Sequence, residues 1–186
     1  MINPTELIKP TDSTSRKQEF LLFCILSVGK NSDVAAAKLD LLLAGKDEGT
    51  APFDYLLSQD IRQLVLDAKT GQYQRVSEAI LQALEVDVET VTLEQLQSIH
   101  GIGPKTARFF LVHAQGKTHA ILDTHILKWM RGLFPDVPKA TPPARHYGKW
   151  ERLCLTFMQA KFPDDSPLVA DLEIWRSQSS RVGGAA

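Results

Sequence analysis

Lys105 and Asp123 are the two side chains whose types and spacing could do nucleophilic and acid–base chemistry, and they stand eighteen positions apart. Lys105 lies in the first turn of a predicted helix, where the positive helix end and partial burial favour the neutral amine that a nucleophile requires. Asp123 precedes another predicted helix and can hold its carboxylate rigidly as an N-cap. For each residue taken alone, the plainer role is favoured: a solvated or phosphate-binding lysine, and a simple cap.

The turn before Lys105 consists of Gly101, Ile102 and Gly103. Glycine permits a positive φ and a close approach of the backbone to a ligand, and Pro104 suits the first helical position. The unbonded N–H groups of that helix start attract an anion, so the pattern L-x-x-I-x-G-I-G-P-K-T-A predicts a phosphate clamp rather than a plain packing corner. The predicted phosphate-binding residues are Gly101, Ile102, Gly103, Thr106 and His125. For the last of these, capping of the helix is an equally weighted alternative.

Helical patterns surround this turn and must position it. Apolar residues fill every face of the segment from about Arg16 to Val28, which indicates a central helix. Ser32 is the expected N-cap of the next helix, and Thr92 with Gln95 forms a capping box before the turn. Because there is almost no strand signal, the predicted fold class is all-α, with about nine or ten short helices. The other helices are expected over about 33–43, 53–58, 60–68, 72–84, 93–99, 104–114, 123–134, 144–161 and 168–177.

The composition of the chain excludes several classes of protein. Its 186 residues are 44% hydrophobic, enough for one substantial core or two small lobes. The longest apolar run is too short to span a bilayer, and the polar N-terminus with two prolines is not expected to be a secretory signal. Cys24 and Cys154 lie in apolar helical contexts and are expected to be buried thiols rather than a disulfide. The lack of a cysteine cluster excludes a zinc finger or an iron–sulfur site.

The distribution of charge is more informative than its sum of −1. Five cationic side chains accompany a single acid between positions 101 and 131, and the same holds between 139 and 161. A nearly neutral protein with two basic segments can present a positive patch on one face. The low net charge therefore does not exclude a polyanionic partner.

The hairpin, Lys105 and the aspartate of the segment Ala-Ile-Leu-Asp-Thr-His-Ile-Leu resemble the helix-hairpin-helix DNA glycosylase superfamily, which includes endonuclease III and the 8-oxoguanine DNA glycosylases. The match is specific over 92–131 and extends as a helical layout over about 16–177. The segment GIGPKTARFFLVHA…AILDTHILKWM is most similar to the compact, archaeal-type 8-oxoguanine DNA glycosylase/AP lyases. The chain lacks the four-cysteine iron–sulfur loop of endonuclease III, which argues against that branch.

The resemblance implies a role for each of the two residues. Lys105 would be the nucleophile that attacks C1′ of the damaged nucleoside and forms a Schiff base. Asp123 would stabilise the positive charge that develops as the base leaves and help to activate Lys105. A lysine at this position implies a bifunctional DNA glycosylase and AP lyase that removes an oxidised base, with 8-oxoguanine favoured. The alternatives are a glycosylase for oxidised pyrimidines and a non-catalytic hairpin module that binds DNA.

The resemblance also implies an architecture. It consists of two helical lobes, with the helix-hairpin-helix motif between them and a catalytic cleft at the lobe junction. The chain 1–186 would form one glycosylase-type unit. Its parts would be the motif over 93–114, one lobe over about 30–134, another over about 1–29 and 135–177, and a flexible tail over 178–186.

A glycosylase must extrude its target base and fill the gap left in the stack. The loop after the first helix resembles the wedge position of the superfamily, so Lys30 and Asn31 are candidate gap-filling residues. An ordinary turn between helices, with Gly29 as its cap, is the alternative. His113 and His119 lack metal-ligand spacing and are expected at the surface. Five aromatic residues could stack on an extruded base, although each is expected in the core: Trp129, Trp150, Trp175, Phe109 and Phe110.

No cofactor or metal centre is expected, although a structural monovalent or divalent cation at the hairpin is left open. The expected partner is double-stranded DNA that contains a damaged base, without a membrane. The protein is expected to act as a monomer in the cytoplasm, in association with the nucleoid.

Overall fold

The structure is a computed structural model, and it describes residues 8–179 of the chain. Within that range the chain is all-α, with ten helices and no strand, as the sequence predicted. None of the described helices is both long and apolar enough to cross a membrane. The helices are α1 (Thr14–Ser27), α2 (Ser32–Leu42), α3 (Pro52–Leu57), α4 (Ile61–Asp67), α5 (Tyr73–Ala83), α6 (Leu93–Ser98), α7 (Pro104–Gln115), α8 (Thr124–Arg131), α9 (Ala144–Lys161) and α10 (Pro167–Ser179).

The described residues form two compact units. The first unit runs to Ile102 and includes His113–Gln115, and the second comprises Gly103–Val112 and the described residues from Gly116 onward. In the first unit, α1 packs against α2, α3 and α5. This grouping differs from the lobes that the resemblance implied, which placed residues 1–29 with 135–177, because the apolar faces of α1 are buried by helices of the first unit.

The helix α1 is central to the first unit, as predicted. Its residues from Phe20 to Leu26 are at most 3% exposed, so a helix that is apolar on every face is also buried on every face. Ser13 caps its N-terminus by accepting a hydrogen bond from the N–H of Arg16. Gly29 follows its C-terminus with a φ of +72° and turns the chain into α2.

Side-chain caps set two helix starts in the first unit. The predicted capping box at α6 is present: Thr92 Oγ1 accepts from Gln95 N–H at 3.2 Å, and Thr92 N–H donates to Gln95 Oε1 at 2.9 Å. The predicted cap of α2 is wrong by one residue, since Asn31 is the N-cap and Ser32 is already helical. Asn31 Oδ1 accepts from Asp33 N–H at 2.8 Å. Asparagine caps a helix as well as serine does, so the local signal did not separate the two.

The second unit is built around α9, whose observed bounds are the predicted ones, 144–161. The helix α10 packs against both α8 and α9. Their apolar side chains form one core, in which Tyr147, Cys154 and Met158 of α9 are at most 3% exposed. The long helix therefore provides the surface on which α8 and α10 are placed.

Candidate active site

Lys105 is the second residue of α7 and is half-buried. The helix starts with Pro104, and its N-cap Gly103 has no side chain that could bond the first N–H groups. Those backbone donors are left for water or a ligand, which is the arrangement expected of an anion site. Thr106 lies in the same first turn. Binding of a phosphate by this helix start stays a prediction.

The first part of the Gly-x-Gly turn belongs to the first unit. Gly101 has a φ of +82°, the left-handed conformation that was predicted for a sharp turn. A Cβ at this position would lie 3.0 Å from the side chain of Arg75, so a larger residue would also require that side chain to shift. Ile99 and Ile102 are at most 4% exposed, as expected for apolar residues beneath the turn. Gly103 differs, since its φ of −86° is open to any residue.

Asp123 is the N-cap of α8, as predicted. Its Oδ1 accepts a hydrogen bond from Ile126 N–H at 2.8 Å, which fixes the carboxylate at the positive end of the helix. The segment before it is held by the Tyr147 hydroxyl, which accepts from Leu122 N–H at 2.8 Å and donates to the Ala120 carbonyl at 3.0 Å. Burial raises the pKa of this hydroxyl, so it stays protonated and able to donate. The carboxylate is therefore positioned by contacts on both sides along the chain.

A buried ion pair links α7 to α9. Arg108 Nε donates to Glu151 Oε1 at 2.7 Å, and the guanidinium carbon lies 4.2 Å from the ring centroid of Tyr147. The same carboxylate oxygen lies 2.9 Å from His119 Nδ1. Burial opposes the charge on Glu151, but hydrogen bonds from His119 and Arg108 outweigh it and lower the pKa of Glu151 to about 2. The ion pair therefore links α7, which carries Lys105, to α9. Tyr147 of α9 in turn holds the segment before Asp123.

A second carboxyl, that of Asp171 on α10, belongs to the same region. Burial first, and then the Asp123 carboxylate, raise the pKa of Asp171 to about 8, whereas Lys105 lowers it. Asp171 therefore interacts electrostatically with Asp123 and with Lys105 within the second unit. Asp171 Oδ1 is buried and has no hydrogen-bond partner among the described residues.

The sequence contained a signal for Asp171 that was missed. Asp171 follows the buried Ala170 and stands three positions before the buried Ile174, so a carboxyl borders the apolar stripe of α10. An acidic residue in such a place is unusual unless it has a partner or a function. Lys105 and Asp123, which interact with it electrostatically, belong to other parts of the chain. No pattern within α10 predicts that interaction.

Cys154 of α9 lies near this cluster. Burial and the carboxylates of Asp171, Glu151 and Asp123, in that order of effect, raise the pKa of the thiol. A neutral buried thiol is a poor nucleophile, so the residue contributes packing rather than chemistry. Both cysteines are buried thiols, as predicted.

His125 contacts Trp175 of α10 with their rings at 63° and their centroids 5.8 Å apart. Trp175 is 46% exposed, so its expected place in the core is wrong. Trp129 and Trp150 are partly buried against the core of the second unit, and Phe110 is fully buried. Trp175 lies one helical turn after Asp171, on the same side of α10. It is therefore an aromatic surface close to the acidic residue.

The expected surface positions of His113 and His119 are wrong. His113 is 0% exposed and lies against the ring of Phe20, 5.9 Å between centroids, and burial lowers its pKa to about 4. His119 is half-buried beside Glu151. Residues 110–114 are all buried, so this part of α7 has no solvent side on which a histidine could lie.

Lys30 and Asn31, the candidate gap-filling residues, lie between α1 and α2 in the first unit. Lys30 Nζ donates to the Thr70 carbonyl at 2.5 Å, and burial, then Arg75 and Lys38, lower the pKa of Lys30. The Asn31 side chain is engaged in capping α2. Both side chains thus have partners within their own unit, as the alternative interpretation of this loop expected. Their insertion into DNA stays a prediction.

Exposed cations line one face of α9, and we call them the α9 basic face: Arg145, Lys149 and Arg152. Their spacing by four and three positions places them on the same side of the helix. The single acid in this helix, Glu151, is buried in its ion pair with Arg108. The α9 basic face therefore has no neutralising acid on its own helix.

Metal-ligating side chains do not form a cluster in the part of the chain that the structure describes. No group of three or more histidine, cysteine, aspartate or glutamate residues within 8–179 could hold a metal ion. A cation held by backbone carbonyls at the hairpin would not need such a group. It stays a prediction.

The chain is similar to an 8-oxoguanine DNA glycosylase/AP lyase of Thermoplasma acidophilum, with 27% identity over 173 residues. The alignment covers 87% of this chain and 79% of that relative. No family model matches the chain, and no solved structure gives a significant match. The similarity to this relative is not confined to the hairpin and its flanking helices.

Proposed function

We propose that this protein is a bifunctional DNA glycosylase and AP lyase, with Lys105 as its nucleophile and Asp123 as the electrostatic partner. The observation that carries the proposal is the placement of Lys105 at the start of α7 and Asp123 at the start of α8 in one compact unit. Both groups act on the same buried carboxyl of Asp171. The similarity to a relative named an 8-oxoguanine DNA glycosylase/AP lyase supports the same activity.

The first step is displacement of the base. The unprotonated amine of Lys105 attacks C1′ of the damaged nucleoside, and the bond from C1′ to the base nitrogen breaks. The base leaves with the bonding electrons and takes up a proton. Positive charge develops on the sugar meanwhile, and the ionised carboxylate of Asp123 stabilises it. The hydrogen bond from Ile126 holds that carboxylate in place, so it need not reorganise during the step.

The second step is cleavage of the strand. The adduct between Nζ and C1′ opens the sugar ring and becomes an iminium, the protonated Schiff base. Loss of a proton from C2′ then expels the 3′ phosphate by β-elimination. Hydrolysis of the remaining imine returns the free amine of Lys105. A glycosylase that used water as its nucleophile would form no such covalent intermediate.

The proposed base is 8-oxoguanine, which the name of the relative supports. An extruded base needs a stacking surface. Trp175 presents a partly exposed indole beside His125 and one helical turn from Asp171. A flat purine can stack on a ring of this size. Trp175 is therefore our candidate for the stacking residue.

The proposed partner is double-stranded DNA with a damaged base, bound by a monomer. The N–H groups at the start of α7 and the α9 basic face are the proposed phosphate contacts in the second unit. Such contacts supply affinity and orientation without reading base sequence. Choice of the lesion must then come from side chains that meet the extruded base.

A panel of duplexes that carry 8-oxoguanine, thymine glycol, uracil or an abasic site tests the function. We expect excision and nicking at 8-oxoguanine and nicking at the abasic site. If the protein nicks the abasic site but excises thymine glycol rather than 8-oxoguanine, the proposed glycosylase and lyase activity stands and the proposed base is contradicted. Binding of the duplexes without cleavage of any would favour the alternative, a non-catalytic hairpin module.

A further inference from the structure

The segment that leads into Asp123 belongs to no helix or strand. Its residues Ala120, Ile121 and Leu122 are nonetheless at most 3% exposed. Buried backbone N–H and carbonyl groups need hydrogen-bond partners, and here regular secondary structure does not supply them. Side chains from α9 and from the connector before it bond several of these groups instead.

The Tyr147 hydroxyl bonds two of these backbone groups. It accepts from Leu122 N–H at 2.8 Å and donates to the Ala120 carbonyl at 3.0 Å. Burial raises the pKa of this hydroxyl, so it stays protonated and makes both bonds. Thr141 Oγ1 donates to the Leu122 carbonyl at 2.9 Å. The residue directly before Asp123 is therefore held at both its N–H and its carbonyl.

The ring of Tyr147 contacts the helix that carries Lys105. The Arg108 guanidinium carbon lies 4.2 Å from the ring centroid, within the range of a cation–π interaction. Arg108 Nη1 donates to the carbonyl of Pro104, the residue directly before Lys105, at 3.2 Å. Arg108 is itself fixed by Glu151, at 2.7 Å from Nε to Oε1. All of these residues belong to the second unit. One side chain of α9 thus joins the start of α7 to the segment before Asp123.

We propose, on the basis of the proposed function, that Tyr147 is a positioning residue for base excision, whose hydroxyl holds Asp123 in place relative to the α7 start that carries Lys105. The carboxylate must be in place when the bond between sugar and base breaks, because preorganised charge stabilises the developing positive charge without reorganising. The cap bond from Ile126 N–H orients the carboxylate relative to α8 alone. The Tyr147 bonds add the position of that helix start relative to α7 and α9.

The two parts of the Tyr147 side chain have separable tasks. The ring belongs to the buried core of the second unit, and phenylalanine would fill the same space. Phenylalanine would also retain the ring contact with Arg108. The two hydrogen bonds of the hydroxyl both go to the segment before Asp123. Tyr147→Phe therefore removes the proposed task and keeps the packing.

A double-mutant cycle tests whether Tyr147 acts through Asp123. Single-turnover excision from an 8-oxoguanine duplex is measured for the wild type, Tyr147→Phe, Asp123→Asn and the double variant. Tyr147→Phe should slow excision by about 10- to 100-fold in the wild-type background, because a small displacement of the carboxylate costs much of its effect. In the Asp123→Asn background there is no charge to position, so the same change should slow excision by less than about twofold. Affinity for the duplex should stay at the wild-type value, because Tyr147 is only 1% exposed.

The cycle separates the proposed role from a general structural one. Slowing by the same factor in both backgrounds would contradict the inference, because a general defect acts with or without the Asp123 charge. A wild-type rate in Tyr147→Phe would contradict it as well. A wild type that excises nothing, or an Asp123→Asn variant at the wild-type rate, would instead overturn the proposed function on which the inference rests.

Two further variants control for stability and folding. Met158→Ala removes a side chain from the same core further along α9, and should lower stability in urea unfolding while the excision rate is unchanged. Slowed excision in this control, equal to that of Tyr147→Phe, would contradict the inference. If Tyr147→Phe does not fold, Thr141→Val decides the question, since Thr141 is exposed and its hydroxyl bonds the Leu122 carbonyl. It should slow excision in the wild-type background and not in Asp123→Asn, and equal rates of Thr141→Val and wild type would then overturn the inference.

Amide hydrogen exchange tests the anchoring without lesion DNA. The N–H of Leu122 loses its acceptor in Tyr147→Phe and should exchange faster than in the wild type, with the amides of α9 unchanged. Unchanged exchange at Leu122 would overturn the inference. Faster exchange at Leu122 in a protein whose wild type excises no base would overturn the proposed function and leave the anchoring of the segment established.

Discussion

Asp123 Oδ1 accepts a hydrogen bond from the backbone N–H of Ile126, with 2.8 Å between oxygen and nitrogen. The candidate catalytic carboxylate is therefore also the N-cap of α8. Capping orients the carboxylate, so the cap and the proposed catalytic role require the same position of the side chain. Substitution of Asp123 by asparagine separates the cap from the proposed catalytic role, since asparagine caps a helix about as well as aspartate and carries no charge.

We expect Asp123→Asn to keep its free energy of unfolding within about 1 kcal/mol of the wild type and to retain DNA affinity. Its excision rate should fall at least about 100-fold, because the developing charge on the sugar loses its counterion. Single-turnover excision and urea unfolding measure the two effects. Asp123→Ala is the companion variant, which should lose about 1 kcal/mol of stability with the cap. Unchanged turnover in the asparagine variant would show that Asp123 is a cap alone.

The two glycines of the turn make a matched pair for stability. Gly101→Ala forces alanine to a φ of +82° and brings its Cβ within 3.0 Å of Arg75, so we expect a loss of about 1–3 kcal/mol. Gly103→Ala has a φ of −86° and open space around the new Cβ, and should change stability by less than about 0.5 kcal/mol. Urea unfolding of both variants is the measurement. Equal losses would contradict the described geometry of the turn.

Features that depend on neighbours in sequence could be predicted. The Thr92–Gln95 capping box, the Asp123 cap and the bounds of α9 are all observed as expected. Each follows from side-chain geometry within one helical turn or from apolar spacing. The cap of α2 was misplaced by one residue for the same reason, because Asn31 and Ser32 are equally good local signals.

Features that depend on packing between helices could not be predicted. His113 is buried against Phe20 of α1, whereas Trp175 of α10 is 46% exposed. Asp171 interacts electrostatically with Lys105 and Asp123, which lie far from it in the sequence. The sequence therefore predicted the two residues of the candidate site, and the structure adds a second carboxyl, that of Asp171, in the same unit.

The buried Arg108–Glu151 pair should make stability depend on pH. The pKa of Glu151 is lowered from 4.5 to about 2, so its ionised form stabilises the fold above about pH 4.5, and this contribution is lost as the pH falls toward 2. A shift of this size corresponds to about 3 kcal/mol. We expect Glu151→Gln to lose about that much stability at pH 7, and the difference from wild type to shrink in acid. Urea unfolding at about pH 7 and pH 3 measures it, and a difference independent of pH would contradict the prediction.

The α9 basic face should contribute to the salt dependence of DNA binding. Replacing Arg145, Lys149 and Arg152 together by glutamine should reduce the slope of log affinity against log salt concentration by about 2 to 3, since each lost phosphate contact accounts for about 0.9. Fluorescence anisotropy with an undamaged duplex at several salt concentrations gives the slope. The control removes three exposed cations of the first unit in the same way: Lys9, Arg62 and Lys69. Equal changes in both triple variants would mean that net charge, rather than this face, determines binding.

The central claim is that Lys105 becomes covalently bound to the sugar during the reaction. Sodium borohydride reduces the imine between Nζ and C1′ to a stable amine, which joins the protein to the DNA. With an 8-oxoguanine duplex, the wild type and Lys128→Gln, an exposed lysine of α8, should both give the trapped complex. Lys105→Gln should bind the duplex and give none, whereas a trapped complex in that variant would contradict the assignment of the nucleophile.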